Sequence, residues 1–126
     1  MVAIFCQKML TGEQAIINGD GKNSRDYVFV EDVVRANVLA LRDDCNGIYN
    51  IGTTVENDVN YIFSTLRSLL NVNMQEHHGT AKAGEQRRSV ITSEKLFKDF
   101  NWKPQVQFND GLSQTAEYFR LRAGKI

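Results

Sequence analysis

Proline occurs once in this sequence and cysteine twice, and neither sign of charge is in excess. Each scarcity excludes something. One proline and nine glycines in 126 residues leave no long flexible linker, so a single domain over 1–126 is expected, with apolar material for a modest core. Cys6 and Cys45 stand at no metal or redox spacing and read as two free thiols in a reducing compartment. Fifteen basic residues balance fifteen acidic ones, which gives no global argument for nucleic acid or an acidic membrane surface as partner. No run approaches the roughly 20 apolar residues that span a bilayer. Met1–Phe5 lacks the basic start and small-residue cleavage site of a signal peptide. The expectation is a soluble cytoplasmic protein.

What is present is an alternation of short elements. Val2, Ile4, Phe5, Met9 and Leu10 predict a helix closed by Thr11-Gly12. It begins without a cap, as though something preceded it. Strands are predicted at Ala15–Asn18, Tyr27–Val30, Ile48–Ile51, around Met74–His77, and at Val90-Ile91. Asp32 is expected to cap a helix carrying Val33, Val34, Val38, Leu39 and Leu41, apolar on more than one side and so buried on more than one side. Asp58 opens an amphipathic helix through Leu70. Ser93 caps another that ends before Pro104, and Asn109 or Asp110 starts the last. The class is mixed α/β, with five helices and strands too few and short for a self-sufficient, doubly covered parallel sheet.

The densest chemical signal runs from Asn18 to Val33. Gly19-Asp20-Gly21 is a glycine-rich turn, and Arg25 follows just before a strand. Arginine offers a planar fork of donors suited to phosphate oxygens. Tyr27, two residues on, shares a face with Arg25 along an extended chain, an arrangement that suits a nucleotide. The alternative is that Arg25 and Asp26 form surface ion pairs and Tyr27 is core. His77-His78 has no acidic or thiol partner at ligand spacing and reads as solvated or loop-packed, so no metal site is expected. Arg87-Arg88 reads as a pair of salt-bridge formers, and Trp102 as packing at a helix end.

The same segment, Gly19-Asp20-Gly21 followed by Arg25-Asp26-Tyr27-Val28 and Val30-Glu31-Asp32, resembles extended short-chain dehydrogenases/reductases. The closest likeness is to the NAD-dependent nucleotide-sugar epimerases and dehydratases of the UDP-glucose 4-epimerase type. Further stretches agree in family order: Val2–Leu10, Gly47–Gly52, Gly84–Ser89, and Leu96–Pro104 followed by Asp110-Gly111-Leu112 and Tyr118–Arg120. The resemblance covers nearly the whole chain and implies the family's C-terminal, substrate-binding region with an incomplete Rossmann fold. It implies that Arg25 meets the diphosphate of a nucleotide sugar such as UDP-glucose or UDP-galactose, with Tyr27 on the same strand. It assigns a second phosphate contact to Lys82, where the family usually has arginine, and a ribose contact to Glu85. Ala83 replaces a frequent proline, and Thr92 stands where an aspartate is common.

The resemblance also marks what the chain does not contain. Gly19-Asp20-Gly21 is not followed at once by a helix, as a dinucleotide fingerprint requires. The family's acid/base tyrosine has a lysine four residues later; Tyr27, Tyr49, Tyr61 and Tyr118 are followed there by Glu31, Thr53, Thr65 and Arg122. The expectation is therefore a truncated isomerase-family chain with no catalytic residues and no NAD bound by itself. Family architecture implies that the helix from Asp32 to Leu41 and the strand at Ile48–Ile51 pack on the cofactor half. Exposed, those faces predict a homo-oligomer or complementation by a separate N-terminal half. The alternative role is a non-catalytic binding or protein-interaction module.

Overall fold

The computed structural model describes residues 1–124. Its main core is made by three helices. Helix α1 (Val2–Thr11) buries Phe5, Cys6, Met9 and Leu10, one stripe at helical spacing. Gly12 ends it in the left-handed conformation at φ 80°, and its N–H returns to the Lys8 carbonyl. Helix α3 (Val59–Leu69) is capped by the Asp58 carboxylate, which accepts from the Tyr61 N–H at 2.8 Å. It buries Ile62, Phe63 and Leu66, and Phe63 meets Phe5 edge to face at 5.6 Å. Helix α5 (Phe108–Arg122) adds Leu112 and Ala116.

A second, smaller core lies between helices α2 (Val30–Leu39) and α4 (Glu94–Phe100). Ala36, Leu96 and Trp102 form it, with Leu39, Tyr49, Ile51 and Phe100 packed around them. Trp102 is buried there under the Arg35 guanidinium, so the helix-end packing role expected for it holds.

The strands are two or three residues each. Strand β1 (Ile17–Asn18) runs parallel to β4 (His78–Gly79). Strand β2 (Ser24–Asp26) is the middle of a separate sheet, antiparallel to β3 (Glu56–Asp58) and parallel to β5 (Arg88–Ser89). Three strands therefore sit a little away from their expected positions: β2 precedes Tyr27, β4 follows His77, and β5 precedes Val90. β-Branched content marked where chain becomes extended, whereas ladder hydrogen bonds fall where a partner strand lies alongside. Ile48–Ile51 joins no ladder among the described residues, and Ile48 is 87% exposed. An extended apolar segment does not become a strand without a neighbour to pair with.

Two expectations about caps are corrected. Helix α2 starts at Val30 with Phe29 at its N-cap, so Asp32 lies inside the first turn and is fully buried. Its carboxylate instead takes Arg35 Nη2 and the N–H groups of Gln105 (3.0 Å) and Val106 (3.1 Å), tying α2 to the segment before α5. Ser93 precedes α4, but its hydroxyl makes no cap bond and turns to Gly52. Helix α5 begins at Phe108, slightly before Asn109. A third correction concerns α2. Its core-facing side is Asp32, Ala36 and Leu39, while Val30, Val34 and Val38, continued by Leu41 just past its end, form an exposed stripe on the other side.

Candidate functional site

The site is organised around the turn between β1 and β2. Gly21 sits at φ 69°, and a Cβ there would lie 1.7 Å from Asn60 Oδ1, so only glycine fits. Asn60 holds the turn from α3, donating from Nδ2 to the Asp20 carbonyl at 2.9 Å. The Asp20 carboxylate accepts the Lys22 N–H at 3.0 Å and both Arg87 terminal nitrogens, at 2.7 and 2.8 Å. The Arg87 bond, followed by the Lys22 N–H, holds the Asp20 carboxyl well below the usual carboxylate range. Arg87 also donates to Asn23 Oδ1 at 3.2 Å.

This clamp joins two loops across a concave surface. Two adjoining hollows, of about 290 and 310 Å³, share Asn18, Asn23, Lys82 and Glu85. The first is floored by Phe5, Ile16 and Val59; the second is walled by Asp20 and Arg87. An apolar floor beside an ammonium and a carboxylate can accommodate a ring that carries hydroxyl and anionic groups. Neither Lys82 nor Glu85 is in an ion pair among the described residues.

Arg25 occupies the centre of β2, half-buried, with Asn57 and Ser89 beside it in register on the neighbouring strands. Its guanidinium donates to the Ser24 carbonyl at 2.7 Å and meets no carboxylate among the described residues. Arg87 and Arg88, in contrast, are neutralised by Asp20 and Glu56, as their sequence reading as salt-bridge formers anticipated. A half-buried arginine without a counter-charge is a natural anion contact. Tyr27 packs on the main core and on Phe108 at 5.7 Å, and burial pushes its hydroxyl up from the ordinary tyrosine range. It lines a third hollow, of about 240 Å³, with Phe29, Gly111 and Leu112. The structure thus brings Lys82 and Glu85 together, leaves Tyr27 facing a different hollow, and places Arg25 on β2 outside the lining of all three.

Several residues were missed in the sequence. Asp26 forms no ion pair among the described residues. Its carboxylate accepts from Thr53 N–H and Oγ1, from Thr54 N–H at 3.0 Å, and from Ile91 N–H at 3.4 Å. It therefore anchors the ends of two remote segments against β2. Asn18 and Asn23 bring side-chain amides to the depression. Alternation around the buried Ile17 could have placed Asn18 outward, but nothing local could have placed Asn23 beside Arg87.

Residues 1–52 match the family model described as the NAD dependent epimerase/dehydratase family. The UDP-glucose 4-epimerase of Mycolicibacterium smegmatis is 34% identical over 98% of this chain and 40% of its own length. A putative UDP-glucose 4-epimerase of Methanocaldococcus jannaschii is 32% identical over 95% of this chain and 39% of its own. The crystal structure of a Thermotoga maritima UDP-glucose 4-epimerase with UDP-glucose superposes with a TM-score of 0.91 at 40% identity, covering 96% of this chain and 39% of that one. Over nearly its whole length this chain is thus similar to a part of NAD-dependent epimerases and dehydratases. It spans about 40% of the length of the curated relatives that it matches.

The family's nicotinamide cofactor can be tested against the residues present. The glycine-rich turn runs into strand β2, so it presents no helix N-terminus to a pyrophosphate. This turn therefore does not fit NAD.

Proposed function

We propose that this chain is the nucleotide-sugar-binding, C-terminal portion of an NAD-dependent sugar epimerase or dehydratase, and that it does not turn over substrate by itself. The observation that carries this reading is the pair Lys82 and Glu85, unneutralised around a depression with an apolar floor, while Arg25, on β2, is a half-buried arginine without a counter-charge among the described residues. Arg25 and Lys82 serve the diphosphate and Glu85 a ribose hydroxyl, with UDP-glucose or UDP-galactose as the class of ligand. Tyr27 supports the strand that carries Arg25 rather than the depression itself. No tyrosine of the chain has a lysine four residues later, so the proton transfer of the family has no donor here. NAD enters with the cofactor half, and the protein works in the cytoplasm.

Titration calorimetry with UDP and UDP-glucose tests the reading. Binding that is lost in Arg25→Ala supports it, and absence of binding to either ligand overturns it. Formation of UDP-galactose from UDP-glucose and NAD at ordinary enzyme rates by this chain alone would overturn the second half.

A second reading is favoured by the exposed stripe Val30, Val34 and Val38 on α2, continued by Leu41 just past its end. It is that of a non-catalytic module that self-associates or accepts a separate cofactor half through this face.

A further inference from the structure

His78 sits on β4 where the two walls of the depression begin. Its Nδ1 lies 2.6 Å from the Gly19 carbonyl oxygen, and its Nε2 lies 2.6 Å from Glu76 Oε1. A carbonyl and an ionised carboxylate only accept hydrogen bonds, so each ring nitrogen must carry a proton. Only the imidazolium carries two. A neutral ring would turn a lone pair towards either Gly19 or Glu76, and one of the two contacts would become repulsive.

The position of this ring gives the proton a mechanical role. The β1–β4 ladder pairs only two residues from each strand. Its backbone bonds run from Ile17 N–H to the His77 carbonyl and from Gly19 N–H to the Gly79 carbonyl. The His78 ring adds a further link at the end where both strands turn into loops. One loop, residues 19–24, carries Asn23; the other, residues 81–87, carries Lys82 and Glu85. Farther out, the loops are joined again by Asp20 and Arg87, a pair that stays ionised through the neutral range.

We propose that His78 is a proton-operated clamp on the ligand depression: its imidazolium holds the start of the 19–24 loop to β4, the strand that leads into the 81–87 loop, and loss of the proton loosens those walls at that end. The effect on ligand affinity rests on the nucleotide-sugar reading above; the clamp itself does not. The charges facing the ring are Glu76 from its own segment and Asp20 from the opposing loop. Arg87 and Lys22 stand beside Asp20, and the Arg87 charge is taken up by it. The Glu76 bond first, then the Gly19 carbonyl, raise the His78 pKa above its ordinary value of 6.5. The sign follows: the clamp is fully engaged below about pH 6.5 and is released as pH rises through the raised value. Asp20 and Arg87 do not titrate there and keep the loops tied to each other, so release is a local loosening at the β1–β4 end rather than unfolding.

The test uses imidazole NMR of the intact chain between pH 5 and 9, with amide hydrogen exchange in both loops corrected for its intrinsic pH dependence. His78 should titrate above 6.5, and exchange in residues 19–24 and 81–87 should rise about three- to tenfold through that midpoint. In Glu76→Gln the midpoint should fall. In His78→Gln the loops should show no pH step while core amides keep their protection. UDP affinity should weaken by a similar factor across the same step in the parent chain and stay flat in His78→Gln. A midpoint at or below 6.5, or no step in loop exchange at the midpoint, overturns the clamp. If the loop step is present but UDP binds at no pH, the clamp stands and the binding reading falls. If UDP binds and neither loop exchange nor affinity steps with His78, the reverse holds.

Discussion

The Ser93 hydroxyl closes on both backbone groups of one residue, accepting from the Gly52 N–H at 2.7 Å and donating to the Gly52 carbonyl at 2.8 Å. This buried pair fixes the end of the Ile48–Ile51 segment against the start of α4. A side chain on Gly52 is excluded by the same closeness, since a Cβ there would fall 2.4 Å from the Ile91 carbonyl oxygen. Ser93→Ala leaves two buried backbone groups without partners. We expect it to lower stability by about 2 kcal/mol, read as a shifted midpoint in urea unfolding. A change within measurement error would show that water replaces the hydroxyl.

Asp32 sets a dependence on acid. Burial pushes its carboxyl up, but the Arg35 bond and the Gln105 and Val106 N–H groups outweigh it, and the net shift is downward. A carboxylate with a depressed folded pKa contributes stability above its unfolded value of about 3.9, and that contribution is lost as pH falls through the folded value. Asp32→Asn should cost about 2 kcal/mol at pH 7, less than for a wholly buried pair because Arg35 is partly exposed. The gap between variant and parent should narrow below about pH 4 in thermal unfolding. A gap that is constant between pH 7 and pH 3 would refute the assignment.

Lys82 offers a gain rather than a loss. An ammonium neutralises phosphate as a point charge, whereas a guanidinium can hold two oxygens at once. Lys82→Arg should tighten UDP binding about three- to tenfold, with little change in thermal stability. Equal or weaker affinity would remove Lys82 from the phosphate contact.

The α2 stripe makes a claim about assembly. Val34 and Val38 are more than half exposed, one helical turn apart. We expect the chain to self-associate at micromolar concentration, and Val34→Glu with Val38→Glu to shift it towards monomer in light scattering. A monomeric parent chain would leave the stripe to a different partner.

Helices α1 and α3 were legible because each announces its buried face at helical spacing, through Phe5, Met9 and Leu10 in α1 and Ile62, Phe63 and Leu66 in α3, whereas Val30, Val34 and Val38 of α2 lie on its exposed side. Asp58 was legible as a cap because that role is local. Asp32, an equally plausible cap, was misread because its partners Gln105 and Val106 lie more than 70 positions away. The strands slipped for a related reason: ladders of two or three residues are decided by which remote segment lies alongside, which local composition does not record. At the candidate site, Lys82 and Glu85 were singled out through family resemblance, and both line the depression. The clamp of Asp20 by Arg87 and the anchoring by Asp26 depend on pairings across the fold.

The Asp26 anchor also bears on the order in which the molecule assembles. Its partners are 27 positions away at Thr53 and 65 away at Ile91. Contacts at such separation are formed against the entropy of closing long loops, so they come after the local helices. We expect the three-stranded sheet that carries Arg25 to be among the last parts to consolidate in refolding. A nascent chain would then have its helices before it had a place for an anion.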